Sequence, residues 1–271
     1  MNKAKTTIRQ VHLPYADLRS QASADAGLET QVLHGETINV IGREGEWLHI
    51  ESTLDQYVGY MRELDLSPII QSSTHKIRLP RGVVYGQPSY NSRLGFELNM
   101  NSRISVRETR ETPEGLMLKC SLGWIYADQV MGVHQYEKDF VAVALLFLET
   151  PYGWGWRSSF IDCSALLQHA CILTGTLCPR NSGQQATTLG RQVPFPEEGE
   201  YYLRGDLIFW TEGEGRHVVI MVDGVNCVHA TNAEKIRRVV LQPLSEVIEY
   251  KKRKNGSLPT VCRRLPNYCF G

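Results

Sequence analysis

The 271-residue sequence predicts an α+β protein in which one or two small β barrels come first and a helix-then-strands block follows. Three observations carry this. Short alternating apolar and polar runs, separated by turn residues, fill the first half. Around residue 134 the hydrophobic spacing changes from a period of two to a helical one. After two helical stretches the alternation returns as a series of strands. A hydrophobic fraction of 42% supplies core material and excludes global disorder.

Within the first unit, residues 37–41 (TINVI) and 47–51 (WLHIE) alternate faces, with Arg43-Glu44-Gly45-Glu46 as the turn between them. A short strand over 57–61 closes the unit, and strands this short and dense suit a small barrel. Residues 69–80 read as a linker or an exchanged edge. A second unit near 81–132 echoes the first: Gly59-Tyr60-Met61 and Gly123-Trp124-Ile125 share a Gly, aromatic, apolar pattern before a polar turn. These readings divide the chain into 1–68, 69–133 and 134–271. In the last block Asp139 can cap a helix running to about Glu149, ended by Pro151. A Gly- and Trp-rich loop, 152–156, leads to Asp162-Cys163-Ser164. A second helix follows through Leu173 and stops at Gly175. Strands are expected over 206–210, 217–222, 225–229 and 236–241.

Charge and cysteine content bound the function. Lys plus Arg (29) equals Asp plus Glu (29), which counts against a dedicated nucleic-acid binder. The basic tract 251–254 reads as a solvated loop. No run approaches the roughly 18 apolar residues of a membrane span, and no apolar stretch follows the N-terminal charges. Seven cysteines without a disulfide framework or a CxxC pair point to buried thiols in a reducing compartment, expected to be the cytoplasm.

Cys163 stands apart because it opens a helix, where unpaired N–H groups and the macrodipole favour a thiolate. A thiolate nucleophile needs a base. His217 begins one strand, after the turn 213–216, and His229 ends the next. If the two strands form a hairpin turning at Asp223-Gly224, both rings lie near the same end, where one can pair with sulfur and the other can hold its tautomer. A zinc site would need a fourth ligand that is not evident, so no metal and no cofactor are expected.

Ordered blocks then add specificity: Pro151-Tyr152 with Trp154-Gly155 and Arg157-Ser158; Asp162-Cys163-Ser164; Pro179-Arg180-Asn181-Ser182 with Gln185; Gly205-Asp206-Leu207-Ile208-Phe209; His217-Val218; and Val228-His229-Ala230. Over about residues 138–265 they resemble the NlpC-type cysteine peptidases, a papain-like fold that cuts bacterial cell-wall peptides. Residues 16–66 resemble the bacterial SH3-type barrel, and the second unit resembles it more loosely. The resemblance implies Cys163 as nucleophile, His217 as base and acid, His229 as its orienting partner, and Tyr152 as an aid to the oxyanion. Trp156 stands where the family commonly has Gly, Ala165 replaces the usual Gly after Ser164, and Asn181 replaces the usual Asp.

A barrel followed by this block resembles the γ-D-glutamyl-L-diamino-acid endopeptidases, which prefer a free N-terminal L-Ala. The substrate expected is therefore a murein peptide, L-Ala-γ-D-Glu-diaminopimelate. A buried ammonium needs a carboxylate and hydroxyl acceptors, assigned to Asp162, Ser164 and Ser182. Tyr57 resembles the barrel tyrosine reaching this pocket, and Arg180 is counted with the substrate residues. Two other readings stay open: a thiol amidase or acyltransferase on the same fold, and a wall-binding adaptor with a vestigial site.

Overall fold

The computed structural model describes residues 7–213 and 216–266 and divides into two compact units. Among the described residues, the N-terminal unit covers 7–136 together with Gly155–Ser159, and the C-terminal unit holds Glu137–Trp154, 160–213 and 216–266.

The first barrel of the N-terminal unit is built from β1 (Thr7–Val11), β2 (Tyr15–Arg19), β3 (Leu28–Leu33), β4 (Thr37–Glu44), β5 (Trp47–Ser52), β6 (Val58–Arg62) and β7 (Leu66–Ser67). They pair antiparallel in the order β3-β2-β6-β5-β4-β1-β7. Alternation puts Leu18, Val32, Ile38, Ile50 and Met61 on the inner face, where they are sealed from solvent. The turn between β4 and β5 is made at Gly45, in the left-handed region at φ 59°.

The second β unit, expected as a barrel, comprises two sheets built from β8 (His75–Ile77), β9 (Arg81–Tyr85), β10 (Arg93–Asn99), β11 (Arg103–Ile104), β12 (Glu108–Thr112), β13 (Gly115–Cys120), β14 (Gly123–Tyr126) and β15 (Val130–Gly132). One sheet runs β10-β9-β14-β13-β12 and the other β11-β8-β15. The stretch 69–80 is therefore more than a linker or an edge. Its residues 75–77 form the central strand of the three-stranded sheet, with Ile77 fully buried. Three residues are too few for alternation to register.

The internal echo has a steric cause. A Cβ on Gly59 would meet Leu18 Cδ2 at 2.1 Å, and one on Gly123 would meet the carbonyl oxygen of Tyr85 at 2.5 Å. At both positions a neighbouring strand crosses too closely for any side chain. After each strand the chain makes a 3-10 turn, Glu63–Asp65 and Ala127–Gln129.

Residues 155–159, from the Gly- and Trp-rich loop inside the 134–271 block, pack with the first barrel. The Trp156 ring lies 6.3 Å from that of Tyr15. Arg157, 2% exposed, forms a two-point ion pair with Glu36, both bonds at 3.1 Å. The same guanidinium donates to the Gln31 carbonyl, while the Gln31 side-chain oxygen accepts from Arg157 N and Ser158 Oγ.

In the C-terminal unit, α1 (Phe140–Leu145) is capped by Asp139, whose Oδ1 accepts from Val141 N and Ala142 N. The helix is shorter than the expected run to Glu149. Glu149 adopts φ 69°, and the backbone of residues 149–150 bonds to Val239 instead, so the chain leaves the helix before Pro151. The remaining elements are α2 (Cys163–Leu173), α3 (Ser182–Thr188), β16 (Arg191–Val193), β17 (Leu207–Trp210), β18 (His217–Met221), β19 (Asn226–Ala230), β20 (Val239–Pro243), α4 (Leu244–Asn255) and β21 (Val261–Arg264).

The sheet order is β16-β21-β17-β18-β19-β20. Helix α2 packs on α1 and on β18, and nearly all of its residues are buried. The strand expected over 236–241 lies at Val239–Pro243, because 236–237 turn back toward Ala233. The tract 251–254, read as a solvated loop, is the last turn of α4, ended by Gly256 at φ 69°.

Candidate active site

Asp162 is the N-cap of α2: its Oδ1 accepts the Ala165 N–H at 2.8 Å and the Ser164 hydroxyl at 3.0 Å. Arg180, 2% exposed, donates to both carboxylate oxygens, and its Nη1 also donates to Ser164 Oγ at 2.9 Å. Burial by itself would raise the Asp162 carboxyl, but the adjacent guanidinium and the two further donors, Ala165 N–H and the Ser164 hydroxyl, hold it below its usual range. Arg180, assigned to the substrate pocket by resemblance, is here a buried partner of Asp162. Gln185, on α3, donates to the carbonyls of Ser164 and Pro179, which ties α3 to the start of α2. Ser182 opens α3 and is half-buried.

This cap fixes Cys163 as the first helical residue, 9% exposed. Its sulfur accepts from the backbone N–H of Val218, the residue after His217. The expectation that a helix start favours thiolate is overridden. Burial first, and then the Asp162 charge, push the thiol up to about 11, against smaller opposing effects from the Val218 N–H, Lys251 and Arg180. Tyr152 is bridged through its backbone to Ile161, just before the cap. Burial raises its phenol, and the charges of Cys163 and Asp162 raise it further. Tyr57 sits in the N-terminal unit, where its hydroxyl donates to Glu29 Oε2 at 2.8 Å.

Strands β18 and β19 form the hairpin that brings the two histidines together. Asp223 Oδ1 accepts from Val225 N and Asn226 N at the turn, and Met221 pairs with Cys227. His217 and His229 are then same-face diagonal neighbours. Their rings are 5.0 Å apart at 78°, with His217 Nε2 and His229 Nδ1 2.8 Å apart. Residues 214–215 of the turn expected before His217, and Cys269, lie outside the described residues.

Both rings are held neutral. Burial lowers His217 well below its ordinary value, followed by the His229 and Lys251 charges; burial lowers His229 to about 4. The directions of both shifts favour thiol and imidazole over thiolate and imidazolium in the resting pair. Two contributors escaped the sequence reading. Gln242 on β20 reaches His229 Nε2 at 3.3 Å. Lys251 acts electrostatically on Cys163 and both histidines, and its ammonium lies 5.9 Å from the Trp210 ring centroid. The spacing of Leu244, Val247, Ile248 and Lys251 is a helical stripe that could have exposed it. A cavity of about 290 Å³ is lined by His217, His229, Gln242, Glu246, Tyr250 and Lys251, among others. Among the described residues, no group of three or more His, Cys, Asp or Glu is placed to hold a metal ion.

A pH dependence of stability follows. Because folding depresses both histidine pKa values, the unfolded chain binds more protons below the ordinary 6.5. Their contribution is complete above that value and is lost as pH falls through the folded values, the His229 one near 4. Amide exchange in β18 and β19 should accelerate between pH 7 and pH 5 beyond the intrinsic trend. Unchanged protection across that window would contradict buried neutral rings.

Two family models match the chain: the NlpC/P60 family over residues 149–253 and the bacterial dipeptidyl-peptidase Sh3 domain over residues 18–66. The gamma-D-glutamyl-L-lysine dipeptidyl-peptidase of Bacillus cereus is 27% identical over 80% of this chain and 71% of its own length. The Bacillus subtilis protein of the same name is 27% identical over 87% of this chain and 82% of its own. A solved NlpC/P60 family protein from Bacillus cereus matches 95% of this chain and 99% of that one with a TM-score of 0.73 at 20% identity, which shows a common fold.

Proposed function

We propose, for a chain that is a cysteine peptidase of the NlpC/P60 family with a bacterial dipeptidyl-peptidase SH3 domain ahead of its catalytic domain, hydrolysis of the bond between γ-D-Glu and an L-diamino acid in peptidoglycan peptides. The observation that carries the chemistry is the Cys163 sulfur at the first turn of α2, held by the N–H next to His217, whose Nε2 is tied to His229. In this reading His217 takes the thiol proton as sulfur attacks the γ-carbonyl carbon. The backbone N–H of Cys163 and the Tyr152 hydroxyl receive the oxyanion. His217 then returns the proton to the departing amine, leaving a thioester that water hydrolyses.

Substrates with a free N-terminal L-Ala are preferred, with Asp162, Ser164 and Ser182 assigned to the ammonium. An intact sacculus presents that amine as an amide to the sugar. The enzyme therefore acts on released peptides, in recycling. The compartment proposed is the cytoplasm, which suits the buried thiols Cys120, Cys171, Cys227 and Cys262.

Comparing kcat/KM for L-Ala-γ-D-Glu-L-diamino acid with its N-acetylated form tests the reading, using both L-Lys and meso-diaminopimelate. Acetylation removes the positive charge of the amine, and with it a charge-assisted bond, and adds bulk where the ammonium would sit. The expected loss is about 30-fold to several thousand-fold, the equivalent of about 2–5 kcal/mol. Mass spectrometry should show release of the L-Ala-D-Glu dipeptide. Equal rates on both peptides would overturn the free-amine preference and favour trimming of intact wall.

A further inference from the structure

The two histidines share a single hydrogen, and its placement decides whether His217 can act as a base. Between His217 Nε2 and His229 Nδ1, 2.8 Å apart, one nitrogen donates and the other accepts. If the hydrogen belongs to His217 Nε2, the neutral ring has a bare Nδ1 with a lone pair to take the thiol proton. If it belongs to His229 Nδ1, His217 must carry its hydrogen on Nδ1 and has no lone pair to offer. Nothing in the pair itself selects one arrangement over the other. The selection has to come from whatever meets the far nitrogen, His229 Nε2.

Gln242 Oε1 meets it at 3.3 Å. The contact is built by sheet register: Val240 pairs with His229 and Gln242 with Cys227, so Gln242 is the same-face diagonal neighbour of His229 across the β19–β20 ladder. An amide oxygen can only accept, so His229 Nε2 must donate. A neutral His229 that donates from Nε2 has a bare Nδ1, and His217 Nε2 must then donate to it. We propose that Gln242 is a positioning residue: by accepting from His229 Nε2 it fixes the tautomers of both rings and leaves His217 Nδ1 as the base. This rests on the reading of His217 as the base of the peptidase. His229 is 3% exposed, and a water replacing the lost acceptor would have to enter from the cavity it shares with Gln242, where it can donate as well as accept and so fixes no tautomer.

Other charged and titratable groups meet the pair. From α4, Glu246, Glu249, Tyr250, Lys251 and Arg253 line the same cavity. Cys163 lies on the α2 side, and Trp210 on β17 has its ring 5.9 Å from that of His217. Lys251 lowers both histidines, while the bond to Gln242 pulls His229 the other way. These groups set how readily the rings charge; an acceptor on His229 Nε2 sets which nitrogen is bare.

The test uses the full chain with 15N-labelled histidine at pH 7.5, where long-range 1H–15N correlations separate protonated from bare ring nitrogens. Wild type should show Nε2 protonated on both His217 and His229. In Gln242→Met, which keeps the volume and removes the oxygen, the reverse arrangement should become populated. Alkylation of Cys163 by iodoacetamide and kcat on the free tripeptide should both fall about tenfold, near the worth of one hydrogen bond, with KM little changed. Gln242→Glu keeps an acceptor, so the wild-type tautomers should persist while the acid limb of the pH profile moves upward. A wild-type spectrum with His217 protonated at Nδ1, or a Gln242→Met protein with unchanged tautomers and alkylation rate, would overturn the proposal. Should Gln242→Met not fold, Gln242→Glu and the wild-type spectrum still decide it. Because spectrum and alkylation need no peptide, the expected tautomers with no peptide hydrolysis would fault the substrate reading alone.

Discussion

Cys163→Ala is expected to abolish peptide hydrolysis, lowering kcat by roughly four to six orders of magnitude while leaving thermal stability almost unchanged. The small side chain is 9% exposed at the first turn of α2, so truncating it to Ala opens little void. What disappears is the sulfur that the Val218 N–H holds beside His217. His217→Ala should cost nearly as much, and the double variant scarcely more than either alone, because nucleophile and base act as one unit. Alkylation gives an independent check. Cys163 is the most exposed of the six described cysteines, so brief iodoacetamide treatment should modify it first. Since burial and Asp162 push its thiol up to about 11, the rate should keep rising with pH from 7 to 10. A plateau near neutrality would reveal a standing thiolate–imidazolium pair instead. Cleavage retained in Cys163→Ala would move the nucleophile elsewhere.

Most of what places this sulfur is local, which is why the sequence could be read there. Asp139 signals its helix as a cap, and the Asp223-Gly224 turn implies a hairpin that sets His217 and His229 on one face, whereas Asp162, read as a substrate carboxylate, is the cap of α2. The alternation of 37–41 and 47–51 likewise appears as β4 and β5. What could not be read depends on distant partners. Arg157 and Glu36 are far apart in the chain, and nothing local to either announces a buried pair. The charge run 251–254 masked a helix because sign, rather than period, governed its interpretation, and Lys251 was thereby separated from the site its charge acts on. The elevated Cys163 thiol is a tertiary effect as well: the helix start favours thiolate, but burial and the Asp162 charge outweigh it.

Arg180→Met should be the most destabilising single change near the site, at about 3–5 kcal/mol, because it strands a buried carboxylate. Asp162 and Arg180 are 5% and 2% exposed, and the guanidinium donates to both Asp162 oxygens and to Ser164. Methionine fills much of the space but offers no donor. Direction with pH separates this cause from simple loss of packing. In the wild type the Asp162 carboxyl lies below its ordinary 3.8, so the pair's contribution is complete above that value and disappears only as pH falls through the folded value. Without Arg180, burial dominates and raises the folded value above 3.8. The variant then recovers stability by protonating Asp162 at pH values where the wild type gains nothing. The deficit should be widest at pH 7 and narrow toward pH 4.5. Adding Asp162→Asn to Arg180→Met should restore part of the loss at pH 7, since an amide needs no counter-charge and its oxygen still accepts from Ala165 N. Hydrogen exchange of the α2 amides in urea measures this within the C-terminal unit, without assuming two-state unfolding of the whole chain. A deficit below about 1 kcal/mol, or one constant between pH 7 and pH 4.5, would mean that the pair contributes packing rather than charge compensation at the start of the catalytic helix.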